Sequence, residues 1–346
     1  MMSKPKVALV LYAFNEQRFI REAIDSAFAQ DYSPLEIVLS DDGSTDLTFS
    51  IMQEMAEAYS GPHQILLNRN LKNIGIGSQI NAAVNKTTGR LIVLANGDDV
   101  SHANRVSRLV TEWLGSGEPV AMAVASSLRQ IGELGEDLGR VMDVHFPFKD
   151  LETATRGRFG GPGAACLGID RDIFEAFGPL PNNLILEDTV LLARSMLLGP
   201  IRYIDDPLVD YRVHDENISQ TYKVFPFEEW RERTRKRAIW HKSQGVKAYI
   251  EILRGLQQTD EGLWSRSQLD SAGWVGMEKL MENAILRDYY AGRSTMGDGQ
   301  KLLMLLRLSV QVMKTRIKRI FPFIERRNER QSYQRTLDAS GPKTDA

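Results

Sequence analysis

Short apolar runs recur through the first half of the chain, each followed by a polar, glycine-containing stretch and then by residues of helical period. The runs fall at residues 7–11 (Val-Ala-Leu-Val-Leu), 36–40, 65–67 and 91–95. A run with so little alternation suits a strand covered on both faces, as in a parallel sheet. Between the first two, Phe19, Ile20, Ala23, Ile24, Ala27 and Phe28 lie on one helical stripe, which predicts a helix to about residue 29. A second helix follows Ser44 to Asp46, whose side chains suit an N-terminal cap, and stops before Gly61-Pro62. Further helices end near residue 84 and span about 104–114. The alternation predicts an α/β fold with a largely parallel central sheet and helices on both faces.

The pattern is weaker beyond residue 120. Residues 120–126, 164–169, 201–204 and 208–211 read as strands, and 171–177 and about 186–198 as helices. Residues 132–155 carry scattered charge and no firm period. From about 225 the composition becomes basic and helical, and the last residues are polar with glycine and proline. This divides the chain into a catalytic-type domain at 1–224, a mainly helical C-terminal extension at 225–330 and a disordered tail at 331–346. No internal repeat or low-complexity tract is visible.

Composition narrows the function. The chain has 346 residues, 25% of them charged, and a formal net charge of −2. That balance argues against a general nucleic-acid binder, whose partner demands a strong positive field. One cysteine, Cys166, excludes a disulfide framework and suits a reducing compartment, where it reads as a small buried hydrophobe. The run at 7–11 is too short to span a membrane, and no stretch of 18 apolar residues occurs. A cytoplasmic protein is the expectation.

Two of the apolar runs end in carboxylates. One leads into Asp41-Asp42-Gly43-Ser44-Thr45-Asp46, the other into Asn96-Gly97-Asp98-Asp99. Ligands of open α/β sheets bind outside such strand ends. Paired carboxylates there suit a divalent ion such as Mn²⁺ or Mg²⁺. A solvated turn with helix capping is the plainer account of the same residues.

The ordered set of motifs resembles family 2 glycosyltransferases of the GT-A fold over about residues 5–220. It comprises Phe14-Asn15-Glu16, the run from Glu36 to Asp46, Asn73 and Gly75 with Asn81, and Asn96-Gly97-Asp98-Asp99. Gly178-Pro179-Leu180, Glu187-Asp188 and Tyr211-Arg212-Val213-His214 with Asn217 and Ser219 follow in the same order. The resemblance implies an inverting transferase that moves a sugar from a nucleoside diphosphate, UDP slightly favoured, to a hydroxyl of a glycan or lipid-linked acceptor. It places Ala13, Asn15, Glu16, Asp41, Asp42 and Asp98 on the nucleotide, with Asp41 accepting from the base and Asp42 supporting its loop. Asp99 is expected as metal ligand, with Asp98 on the ribose or as secondary ligand and His214 as a further one. Asp188 is the expected general base and Glu187 an orienting group for the acceptor. Gly160 and Gly161 would let backbone approach acceptor or sugar, Arg212 would face the diphosphate, and Arg69, Lys72 and Arg105 are candidate nucleotide contacts. Asn96 departs from the acidic residue usual at the first position of its motif, which puts metal affinity in question.

Two other readings use the same residues. A sugar nucleotidyltransferase could share the crevice, although the chain lacks a glycine-rich triphosphate loop near its start. A catalytically inactive glycan-binding or partner-binding module would keep the fold alone. Between residues 301 and 330, nine Lys or Arg stand against two Glu beside a stripe of Leu302, Leu306, Val310, Met313 and Ile317. Residues 301–325 would either pack on the domain or lie on an anionic membrane surface. The sequence carries no signature of oligomeric state.

Overall fold

The computed structural model describes residues 4–115, 120–142, 163–182, 184, 186–214, 217, 248, 250–252 and 254–255. Apart from residues 248, 250–252 and 254–255, the expected helical extension lies outside them, as do the segment at 301–325, the tail and Gly160 and Gly161.

Strands β1 (Val7–Ala13), β2 (Leu35–Asp41), β3 (Gln64–Arg69) and β4 (Leu91–Asn96) form one parallel block, ordered β3-β2-β1-β4. Their connections run through helices α1 (Ile20–Phe28), α2 (Thr48–Ala58) and α3 (Ile76–Val84). Every residue of β1 and β2 is buried, which accounts for the uninterrupted apolar runs. Alternate side chains face opposite ways. Val7, Leu9, Leu11, Ile37, Leu39, Leu91 and Val93 meet α1, α2 and α4 (Arg105–Leu114) in the main core. The intervening positions face α3, which packs on β1 and β2.

The expected largely parallel sheet is corrected beyond β4. There β5 (Val100–Ser101) is a two-residue strand, and β6 (Ala123–Ile131) and β7 (Asp137–Met142) make a hairpin. Strand β8 (Leu167–Asp170) runs antiparallel between β4 and β6, and β9 (Ile201–Arg212) is parallel to β6 but antiparallel to β5. The sheet is therefore mixed. The chain enters β8 from a short 3₁₀ turn, Ala164–Cys166, and leaves it into α5 (Asp172–Phe177). The two short strands expected at 201–204 and 208–211 are one strand, β9. Its register on β6 shifts around Pro207, which has no N–H for the ladder.

Helix α6 (Glu187–Leu198) packs against β8 and β9. Asn81 in α3 fixes the chain on its way to α6: its side chain accepts from the Leu180 N–H and donates to the Leu180 carbonyl, both at 2.8 Å. The Gly77 N–H donates to Leu184 at 3.2 Å. Elements far apart in sequence thus meet at the C-terminal ends of the parallel strands.

Candidate active site

The loops after β1 and β2 are joined into one cradle. Asn15 has a positive φ of 58°, unusual outside glycine, and its side chain accepts from the Thr45 N–H at 2.9 Å. The N–H groups of Asn15 and Glu16 donate to the hydroxyls of Ser44 and Thr48 at 2.9 and 2.8 Å. Gly43 also has a positive φ, and a Cβ there would lie 2.6 Å from the Lys72 backbone, so the β2 and β3 loops touch.

Asp41 and Asp42 are both buried and differ in what they hold. Asp42 accepts from Asn70 at 2.8 Å and from the Ile74 and Gly75 N–H groups at 3.0 and 2.9 Å, so its carboxylate organises the loop leading into α3. Asp41 accepts the Gly43 and Ser44 N–H groups on Oδ2, at 3.2 and 3.1 Å. Its Oδ1 is buried with no hydrogen-bond partner among the described residues. A buried orphan acceptor costs free energy unless a ligand satisfies it. The Arg69 guanidinium lies 3.9 Å from Asp41 and over the Phe49 ring.

The turn after β4 points its two aspartates differently. Asp99 is turned inward: Asn96 donates to Oδ2 and the Arg212 N–H to Oδ1, each at 2.9 Å. Burial, then the charge of Asp98, pushes its carboxyl well above the usual range. Asp98 is half-buried and presents a ligand atom beside Glu16 and His214, all within 4.8 Å of one another. His214 is the second residue past β9, following Val213, whose N–H donates to Ile131 at 2.9 Å. Two carboxylates and an imidazole form a donor set suited to a divalent first-row ion. Asp99 is not part of that group. Gly97 allows the turn to sit against β1, since a Cβ there would lie 2.5 Å from that of Ala13.

Two arginines expected at the donor, Arg212 on the diphosphate and Arg105 on the nucleotide, are buried among protein partners. Arg212 is 1% exposed. Its guanidinium donates to the main-chain carbonyls of Asp98 at 3.0 Å and Glu133 at 3.0 Å, and pairs with Glu22. Arg105 is fully buried, donates to Ser101, Leu94 and Ala165, and has its pKa lowered to about 10 by desolvation. The sequence shows the charge of these residues but not their distant partners.

Glu187 and Asp188 open α6. The Glu187 side chain is buried, with Oε2 lacking a partner among the described residues. Burial, then the charge of Asp188, raises its carboxyl well above the usual range. Asp188 is half-buried; desolvation pushes it up to about 6 against the Thr189 N–H, which donates to it at 2.7 Å. Two carboxyls so close and so buried disfavour a second negative charge, so both hold a proton more tightly than an ordinary carboxyl does. Burial, and after it the charges of Asp99 and Asp188 among others, push up both the Tyr12 phenol and the Cys166 thiol. Tyr12 closes β1 in register with Ser40 and Asn96. Ala13 contributes its carbonyl, which accepts from Asp42 N and Gln79 Nε2 at 3.0 and 3.1 Å.

Comparison with known proteins finds a match to one family model. Residues 8–176 match the glycosyl transferase family 2 model. An uncharacterized glycosyltransferase of Nostoc sp. is 24% identical over 325 residues, covering 86% of this chain and 96% of that protein. An uncharacterized glycosyltransferase of Haemophilus influenzae is 30% identical over 107 residues, 31% of this chain and 32% of its own length. The chain spans between 31% and 39% of three such relatives. Among solved structures, the Pyrobaculum calidifontis mannosyltransferase PcManGT, in complex with GDP-Man and Mn²⁺, superposes with a TM-score of 0.51 at 17% identity. That likeness covers 98% of this chain and 88% of the other, and shows a GT-A-like α/β fold. The chain carries a family 2 glycosyltransferase domain over residues 8–176.

Proposed function

We propose that this family 2 glycosyltransferase moves a sugar from a nucleoside diphosphate to a hydroxyl of a glycan or lipid-linked acceptor, with inversion at the anomeric carbon. One observation carries the reading. Glu16 after β1, Asp98 after β4 and His214 after β9 bring their ligand atoms within 4.8 Å of one another, a cation-competent group built from three separate segments.

Glu16, Asp98 and His214 would hold a divalent cation. An imidazole among the ligands suits Mn²⁺ better than Mg²⁺, and Mn²⁺ accompanies GDP-Man in PcManGT. The ion, when bound, supplies positive charge against the leaving diphosphate. Asp99, engaged on both oxygens, keeps the turn in shape, so the ligand role passes from Asp99 to Asp98. The unpartnered Oδ1 of Asp41 accepts an N–H from the base, with Arg69 alongside. Uracil and guanine both offer such an N–H, and UDP-sugars come first in testing. The acceptor hydroxyl attacks the anomeric carbon while the bond to the diphosphate oxygen breaks. Asp188 takes the hydroxyl proton, and the nucleoside diphosphate leaves.

The domain at 1–224 performs this chemistry in the proposal, with 225–330 on the acceptor side. No helix among the described residues is long and apolar enough to cross a membrane. Residues 301–325 would bring a cytoplasmic enzyme to the membrane's inner face.

Incubation with UDP- and GDP-sugars, Mn²⁺ and a glycan panel, read by mass spectrometry, tests the reading. A glycosylated product with release of nucleoside diphosphate is expected. Pyrophosphate release from a nucleoside triphosphate and a sugar phosphate would instead mark a nucleotidyltransferase. Binding of glycan without any nucleotide would mark a non-catalytic module.

A further inference from the structure

Arg212 is the last residue of β9, two before His214. Its buried side chain reaches the turn after β4, where Nε donates to the Asp98 carbonyl at 3.0 Å. Its main-chain N–H donates to Asp99 Oδ1 at 2.9 Å, so one residue grips that turn twice. One arm of the guanidinium, Nη2, pairs with Glu22 in the first turn of α1. The guanidinium also lies over the Phe19 ring, its central carbon 5.1 Å from the ring centre. Phe19 and Ile20 start this helix by donating their N–H groups to the Glu16 carbonyl at 3.0 and 2.9 Å. The other arm, Nη1, donates to the Glu133 carbonyl at 3.0 Å, between β6 and β7.

Glu16 and Asp98, two of the three members of the candidate cation group, stand on the two segments that this guanidinium joins. Ligands drawn from separate segments bind an ion well only if their backbones are held in a fixed relation. A planar guanidinium, with five donors in fixed directions, sets the distance between a carbonyl and a carboxylate. An ammonium on a flexible stem does not. The Glu22 side chain is 57% exposed, and an ion pair so open to water adds little to stability. Its geometric effect is the larger one: it fixes which way the buried guanidinium points.

We propose that Glu22 and Arg212 are positioning residues for the cation group. The Glu22 carboxylate holds the Arg212 fork, and the fork holds the Asp98 turn against the helix that starts from Glu16. Neither residue supplies a ligand atom; both act through the backbone of the residues that do. The inference rests on the cation site of the transferase reading above. A competing account gives Glu22 only a through-space attraction for the ion, and the two make opposite demands on the side chain. Positioning needs its reach, whereas attraction needs its charge.

The test is Mn²⁺ titration of the full chain without nucleotide, read by loss of the free-ion paramagnetic resonance signal. Glu22→Asp keeps the charge and shortens the reach by one methylene. Its Mn²⁺ affinity is expected to fall about tenfold, the scale of a lost partner behind a metal ligand. Glu22→Gln drops the charge but keeps an oxygen that accepts from Nη2, so its affinity should stay within about threefold of the parent. Arg212→Lys keeps the charge on a single nitrogen and should lose as much as Glu22→Asp. Urea unfolding without metal confirms that the Glu22 variants are folded, so their ranking decides the matter even if Arg212→Lys does not fold. The opposite ranking, with Gln weakened and Asp near the parent, overturns the positioning role, and so does equal affinity in both. If the unaltered protein binds no Mn²⁺, the cation group fails and takes this inference with it. The sugar-transfer screen above judges the transferase reading separately.

Discussion

Asn96 donates its side-chain amide to Oδ2 of Asp99 at 2.9 Å, inside a turn where Asp99 is 5% exposed. The amide answers a buried carboxylate whose protonation is already favoured by desolvation and by Asp98. A carboxylate in its place would face Asp99 directly.

Asn96→Asp is therefore expected to lower stability by about 2 kcal/mol at pH 8, the loss of a hydrogen bond to a charged group. At pH 5 the deficit should shrink, because a proton shared between the two carboxyls restores one hydrogen bond. Urea unfolding at both pH values, without metal, gives the comparison. An equal deficit at both would show that the amide's neutrality is not what matters.

The cation group yields a prediction that separates two neighbouring aspartates. Asp98→Asn should weaken Mn²⁺ binding at least about tenfold, read by the loss of the free-ion paramagnetic resonance signal on titration, as expected for a deleted anionic ligand. Asp99→Asn should act first on stability and much less on Mn²⁺ affinity, since both its oxygens are held by Asn96 and Arg212. The reverse ranking would return the ligand role to Asp99.

Those two aspartates also show where sequence reading stops. The strands at 7–11, 36–40 and 91–95 were legible because both faces of β1, β2 and β4 are covered, which leaves an unbroken apolar signal. Strand β7 was not, because four of its last five residues face solvent and a glycine interrupts it. Asp98 and Asp99 are adjacent in sequence, and only the turn's geometry, set by Arg212 some hundred residues later, decides which faces outward. Glu16 was read as a nucleotide contact because its motif gives no hint that His214 lies beside it. Arg212 read as a diphosphate ligand because a cation near a crevice suggests one. Its actual partners, Glu22 and the carbonyls of Asp98 and Glu133, come from three separate segments.

For the base, Asp188→Asn is expected to lower the transfer rate by about 10² to 10⁴-fold while nucleotide affinity stays within about twofold. In the unaltered enzyme the ionised form is the active one, so the rate should fall tenfold per pH unit below the Asp188 value of about 6 and level off above it. A pH profile of kcat/KM from 4.5 to 8.5 shows whether a limb lies there. A flat profile, or a variant with full activity, would remove Asp188 from the chemistry.

Glu187 makes an opposite claim on the pH dependence of stability. Its folded carboxyl is raised above the unfolded value, so across that window the folded chain binds more protons than the unfolded one. Stability then declines as pH rises, the reverse of a salt-bridged acid. Glutamine keeps the shape and cannot ionise, so Glu187→Gln should flatten this decline. The variant is expected to match or exceed the parent in urea resistance at pH 8 and to gain nothing at pH 5. With Glu187 as the protonated member of the pair, the variant is expected to leave the Asp188 limb near 6 in any residual transfer activity. A limb displaced by a full unit would mean that the two carboxyls share their proton evenly, and the assignment of Asp188 as the ionised partner would fail.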